Sequence, residues 1–171
     1  NKIPSTSQVN NKMCIVLPEG IISECEIMFN FSLLCANQFP DINFIWRLHP
    51  TNSFEDLKKN NKSFKNLPDN VIISDQSMEY DIERSDWAIY RSSTAIIQTL
   101  RQEVRPIYLQ LDGEITVDPL YEIEKWKAVI STVKGFGEII NMDPKDLKTR
   151  TERQIAIDSC KKLITPINYD V

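Results

Sequence analysis

Short runs of β-branched and aromatic residues alternate along this chain with helix-length segments, and that alternation constrains the fold more than any single residue does. Repeated strand–helix units set parallel strands side by side with helices as the crossovers. The candidate strands are 12–17 (Lys-Met-Cys-Ile-Val-Leu), 43–48 (Asn-Phe-Ile-Trp-Arg-Leu), 70–74 (Asn-Val-Ile-Ile-Ser), 87–90 (Trp-Ala-Ile-Tyr), 106–110 (Pro-Ile-Tyr-Leu-Gln) and 127–131 (Lys-Ala-Val-Ile-Ser). Most are continuously apolar, as strands covered by helices on both faces are; a sheet wet on one face would alternate. Helices are expected over 21–39, which Pro40 ends, and over 53–62, 77–85, 93–103, 134–141 and 144–164. The last opens on Asp143-Pro144, an N-cap followed by Pro at the first helical position. Segment 21–39 is apolar over more than one stripe, so it is either deeply buried or lies under another domain. The pattern predicts an α/β fold: a doubly wound, Rossmann-like three-layer sandwich with a mainly parallel sheet of about six strands.

With 171 residues, 42% of them hydrophobic, the chain is long enough for one domain with its own core. We assign that domain to 12–171 and treat the polar segment 1–11 as a flexible lead-in or linker. The formal net charge of −4, with no long basic run, argues against nucleic acid or anionic lipid as partner, since both need clustered cations. The one local enrichment, Lys58, Lys59, Lys62 and Lys65, reads as a solvated helix face. Cys14, Cys25, Cys35 and Cys160 form no C-x-x-C pair and sit in apolar stretches, as small buried hydrophobes do, which points to a reducing, cytoplasmic compartment. No stretch reaches the roughly 18 apolar residues of a membrane helix, and residues 1–12 lack a signal-peptide core. A start without Met and rich in Ser, Asn and Gln suits a piece of a longer protein.

In such a sheet, ligands bind beyond the carboxyl ends of the strands. Five loops therefore matter: Pro18-Glu19-Gly20, His49-Pro50-Thr51, Asp75-Gln76-Ser77, Arg91-Ser92-Ser93-Thr94 and 112–121. Ser92, Ser93 and Thr94 stand where a strand passes into a helix, a place suited to an anion, most plausibly phosphate, with Arg91 adding charge. The alternative is a simple helix cap, but Ala95 and Ile96 supply no capping-box carboxylate, and three hydroxyls exceed what one cap uses. His49, the single histidine, is held in direction by Pro50 and suits phosphate contact or proton transfer to a leaving group. Arg47 either points to the same side or pairs with a helix covering the sheet. Gly20 lets the backbone approach a ligand closely. Asp118 and Tyr121 suit recognition of sugar hydroxyls, or belong to a solvated turn leading into a Pro-initiated helix. Neither G-x-G-x-x-G nor G-x-x-x-x-G-K-[ST] occurs, which lowers dinucleotide binding and ATP hydrolysis together. No set of residues has metal-ligand spacing, so no metal site is expected.

A strand ending in Arg-x-His-Pro, followed some forty residues later by one ending in Arg-Ser-Ser-Thr and a helix, resembles the nucleotide-binding C-terminal half of GT-B glycosyltransferases. It is similar in particular to bacterial sialyltransferase-type and polyol-phosphate-transferase-type enzymes. The string Tyr90 to Ala95, with Arg105-Pro106-Ile107-Tyr108-Leu109 and Asp118-Pro119-Leu120-Tyr121, also resembles surface-polysaccharide glycosyltransferases; the resemblance covers about 12–142. It implies a metal-independent transferase without cofactor, whose donor substrate is a CMP-, CDP- or UDP-linked sugar. His49 and Pro50 would contact the donor phosphate or assist the departing nucleotide, Ser92, Ser93 and Thr94 would hold phosphate, and Glu19, Gly20 and Asp75 would lie near base and ribose. The catalytic base and the acceptor site would belong to an N-terminal domain that this chain lacks, leaving it inactive alone.

Two other classes share the architecture: a stand-alone flavodoxin-like binding or regulatory module, and half of a sugar-nucleotide epimerase-like enzyme. Glu19 and Asp75 imitate the acidic positions of a phospho-receiver, but Gln110-Leu111-Asp112 provides no Lys after strand five.

Overall fold

A computed structural model of the chain describes residues 12–115, 117–142 and 146–163. Strands β1 (Lys12–Leu17), β2 (Ile42–Trp46), β3 (Val71–Ile73), β4 (Trp87–Tyr90), β5 (Arg105–Leu109) and β6 (Ala128–Ile130) form one sheet, ordered β3-β2-β1-β4-β5-β6. Every neighbouring pair is parallel, so the expected α/β architecture is present with no antiparallel strand among the described residues. The helices are α1 (Ile22–Gln38), α2 (Phe54–Asn60), α3 (Met78–Glu83), α4 (Ala95–Arg101), α5 (Val133–Ile140) and α6 (Leu147–Leu163), with a 3-10 turn at Lys62–Lys65. None of the described helices is long and apolar enough to cross a membrane.

Side chains of a strand alternate between the two faces of its sheet, and both faces here are dry. Cys14 and Val16 point into a core with Phe44, Trp46, Ile89 and Leu109, covered by α1, α2 and α5. Ile15 and Leu17 point into a second core with Ile45, Ala88, Tyr90 and Tyr108, covered by α3, α4 and α6. Continuous apolar runs follow from this arrangement. The wide apolar surface of α1 is explained by burial within the domain: Met28 and Phe29 are fully inaccessible, and Phe29 stacks on Trp46 with ring centroids 4.3 Å apart. Leu34 alone among its larger mid-helix apolar residues stays in water.

Strands 12–17 and 87–90 match their predicted bounds; elsewhere the ends move by one or two residues. β2 stops at Trp46, its last partner in the ladder with β3, because the next side chain, Arg47, turns away to an ion pair. α4 is shorter than 93–103: its N-cap is Thr94, and the chain reverses at Glu103 with φ 63°. The Pro-initiated helix considered after Pro119 does not form. Asp118 instead accepts the Leu120 N–H at 2.8 Å, and two successive turns lead to Trp126, whose φ of 63° a helix does not contain. Segment 1–11 and the Asp143-Pro144 helix start lie outside the described residues.

Candidate functional site

Between β1 and β4 the strand order reverses direction, and the connection after β1 runs to one face of the sheet while that after β4 runs to the other. The two carboxyl ends diverge there and open a cleft of about 380 Å³, lined by Glu19, Ile21, Glu24, Arg91, Ser92 and Tyr108, with Ile115 and Val117 at its rim.

On the β2 side the sequence-predicted Gly20 and His49 meet. A methyl group at Gly20 would sit 3.0 Å from His49 Nδ1 and 3.1 Å from Thr51 Oγ1, so close packing favours glycine here, with φ in the ordinary range. The partner approached so closely is the imidazole itself. Asn52 Nδ2 donates to the Gly20 carbonyl at 3.1 Å and fastens the two loops together. The Thr51 N–H lies 3.4 Å from His49 Nδ1 and donates to it, and Thr51 Oγ1 is 2.8 Å away. An accepting Nδ1 leaves the proton of a neutral ring on Nε2. His49 and Pro50 are exposed, and Nε2 has no partner among the described residues. Helix α1 begins beside them without a side-chain cap.

On the β4 side, Ser92 and Ser93 are half-buried, Thr94 is exposed, and among the described residues none of their hydroxyls is engaged in a hydrogen bond. Thr94 is the N-cap of α4 by position, yet its side chain caps nothing, so the simple capping account of these hydroxyls does not hold.

The structure gives five of the candidate site residues other partners. Arg91 offers no free cation to an anion: its side chain is 8% exposed, Nε donates to Glu24 Oε2 at 2.7 Å, Nη2 to Glu114, and Nη1 to the Leu109 carbonyl at 3.4 Å. Burial disfavours its charge, but the bonds from Glu114 and Glu24 outweigh that and keep it ionised. A guanidinium taken out of water needs such counter-charges. Arg47 takes the second of its two options, donating to the fully buried Asp81 of α3 and to the Gln76 carbonyl. Asp118 is occupied by the Tyr90 hydroxyl at 2.8 Å, Lys127 at 2.6 Å and the Leu120 N–H, so it is a hub that shapes the loop and has little left for a sugar. Tyr121 is exposed and donates to its neighbour Glu122. Asp75 is exposed at the end of the edge strand β3 and accepts from Gln76; no hydrogen bond joins it to the central loops. Glu19 does line the cleft.

Sequence reasoning missed Glu24, and it named Thr51, Glu114 and Tyr108 only as members of candidate segments, without a role. Tyr108, 4% exposed, lines the cleft with a buried hydroxyl that finds no partner among the described residues. Thr51 was within reach of a turn argument. Glu24 and Glu114 meet Arg91 only through the fold, from 67 and 23 positions away.

No protein-family model matches the chain, and no curated protein matches it. Solved structures do. The spinosyn rhamnosyltransferase SpnG, crystallised with thymidine diphosphate, superposes with a TM-score of 0.61 at 11% identity over 95% of this chain and 45% of its own. The glycosyltransferase SnogD from Streptomyces nogalater gives 0.60 at 15% identity, over 95% and 42%. The calicheamicin glycosyltransferase CalG4 gives 0.61 at 11%, over 95% and 40%. At such identities the likeness establishes the fold: this chain has the Rossmann-like architecture of one half of GT-B glycosyltransferases and spans less than half the length of each.

Proposed function

We propose that the chain is the donor-binding half of a glycosyltransferase, metal-independent and cytoplasmic, which takes a sugar from a CMP-, CDP- or UDP-linked donor for surface-polysaccharide assembly. An N-terminal domain supplies the acceptor site and the catalytic base. The observation that carries this reading is the packing of His49 against Gly20 and Thr51, beside the loop that follows β1, with Nδ1 accepting and Nε2 without a partner among the described residues. The thymidine diphosphate bound to a structural neighbour supports a nucleotide-linked donor.

Transfer breaks the bond between the anomeric carbon and a phosphate oxygen, and the electron pair stays with the phosphate. A charge-assisted hydrogen bond from Nε2–H stabilises that oxygen as it departs. The unengaged hydroxyls of Ser92 and Ser93 provide further donors, and Thr94 extends the row. The acceptor hydroxyl loses its proton to the base of the other half. Titration of CMP, CDP and UDP into the full chain by calorimetry tests the assignment. His49→Ala and Ser93→Ala are each expected to weaken binding about tenfold, or about 1.4 kcal/mol. If none of the three nucleotides binds, or neither variant weakens the one that does, the site is misplaced.

A further inference from the structure

We propose that the sugar accepted by this cleft bears no carboxylate, and that Glu19, Glu24 and Glu114 enforce the exclusion; the inference rests on the donor-site reading above and names its substrate class. Glu19 and Glu24 line the cleft at the switch point together with Arg91, and Glu114 pairs with the same guanidinium. Arg91 already faces two carboxylates, Glu24 and Glu114, and donates from Nη1 to the Leu109 carbonyl, so its single positive charge is more than offset before any ligand arrives. Glu19 has no ion pair among the described residues and stands in the cleft wall next to Gly20. An anionic ring placed here would add like charge to a half-buried acidic site, where electrostatic interactions are screened less than in bulk water.

The remaining polar groups fit the opposite kind of ligand. Carboxylates accept hydrogen bonds from sugar hydroxyls, Ser92 both donates and accepts, and the Tyr108 side chain adds a ring to the cleft wall. The volume of about 380 Å³ lies within the range of small-ligand sites. Phosphate then lies toward His49 and the hydroxyls of Ser92, Ser93 and Thr94, and the uncharged ring against the cleft wall formed by Glu19, Glu24 and Arg91. Sequence features that resemble sialyltransferase-type enzymes thus occur with a cleft whose charge opposes an acidic sugar.

The experiment compares two donors that share a nucleotide and differ at one carbon, UDP-glucose and UDP-glucuronate, by calorimetry on the full chain, with UDP alone as reference; if only cytidine nucleotides bind, CMP alone is the reference and CMP-linked sialic acid the acidic donor. UDP-glucuronate is expected to bind about tenfold more weakly than UDP-glucose, and acidic donors more weakly than the bare nucleotide. Glu19→Gln, which breaks no ion pair in the described structure, is expected to narrow that gap, and Glu114→Gln to narrow it further by freeing Arg91. Equal or tighter binding of the acidic donor, or a gap unchanged in both variants, overturns the inference while leaving nucleotide binding intact. Absence of binding by any nucleotide instead overturns the donor-site reading, and the inference with it.

Discussion

At position 20 the absence of one methyl group holds two loops together. Any larger residue would press on His49 and Thr51 at about 3 Å, closer than real Cβ contacts usually allow. Gly20→Ala is therefore expected to cost about 1 kcal/mol and to displace the imidazole. Chemical denaturation reads the first effect and the NMR shift of the single histidine ring the second; a ring signal identical to that of the parent protein would show that the packing does not position His49. Local turn chemistry singled out both Gly20 and His49 in the sequence. Their contact was not visible there, because it spans 29 positions and depends on β1 and β2 lying side by side. Arg91 shows the same limit from the other direction: its charge is plain in the sequence, but whether a ligand or the protein neutralises it depends on Glu24 and Glu114, which only the fold delivers.

Among the elements, β1 and β4 were readable to the residue, because a strand buried on both faces has a continuous apolar signal that stops where the chain leaves the sheet. Segment 119–126 was not, since its helix-compatible composition is overruled by Asp118, which ties the loop to Tyr90 and Lys127. Helix α3 is likewise placed by one carboxylate. Asp81, fully buried, binds Arg47 after β2, Arg84 at the C-cap of α3 at 2.9 Å, and the Ser74 hydroxyl after β3. Removing it leaves two partly buried guanidiniums without their counter-charge. Asp81→Ala is expected to cost about 3 kcal/mol in urea unfolding, at the lower end for buried pairs because both arginines retain some access to water. The same variant should weaken nucleotide binding only to the extent that the β2–α2 loop shifts. A loss below about 1 kcal/mol would mean that the cluster has little part in holding α3 to the sheet.

At the scale of the whole molecule, the two cores carry thiols that report on them: Cys14, Cys25 and Cys35 on the α1 side and Cys160 on the α6 side, all free and buried. Burial raises the pKa of each, that of Cys35 to about 12. A thiol that titrates higher in the folded state than in the unfolded one adds stability that is complete below the unfolded value and is lost as pH rises toward the folded one. The melting temperature is accordingly expected to fall from about pH 9 upward, and a thiol reagent at pH 8 to label the folded chain slowly and the unfolded chain at four sites. Rapid labelling of the folded chain would contradict the burial. The two-sided cover of the sheet was readable from composition and run length; the acidic character of the switch-point cleft was not, since it is assembled from three separate loops and a helix.

The central position of β1 bears on how the chain is made. Of the six strands of this sheet β1 is synthesised before the other five, and one of its edges pairs with β2, about thirty residues behind it. Its other edge belongs to β4, and the Met13 N–H reaches the Asp86 carboxylate across 73 positions. Until residues 87–90 have been synthesised, this central strand therefore carries an open edge of unpaired backbone groups, a template on which nascent copies can pair with one another. A message cut short between β3 and β4 would fix that state permanently, and its product would be expected to self-associate where the full-length chain folds.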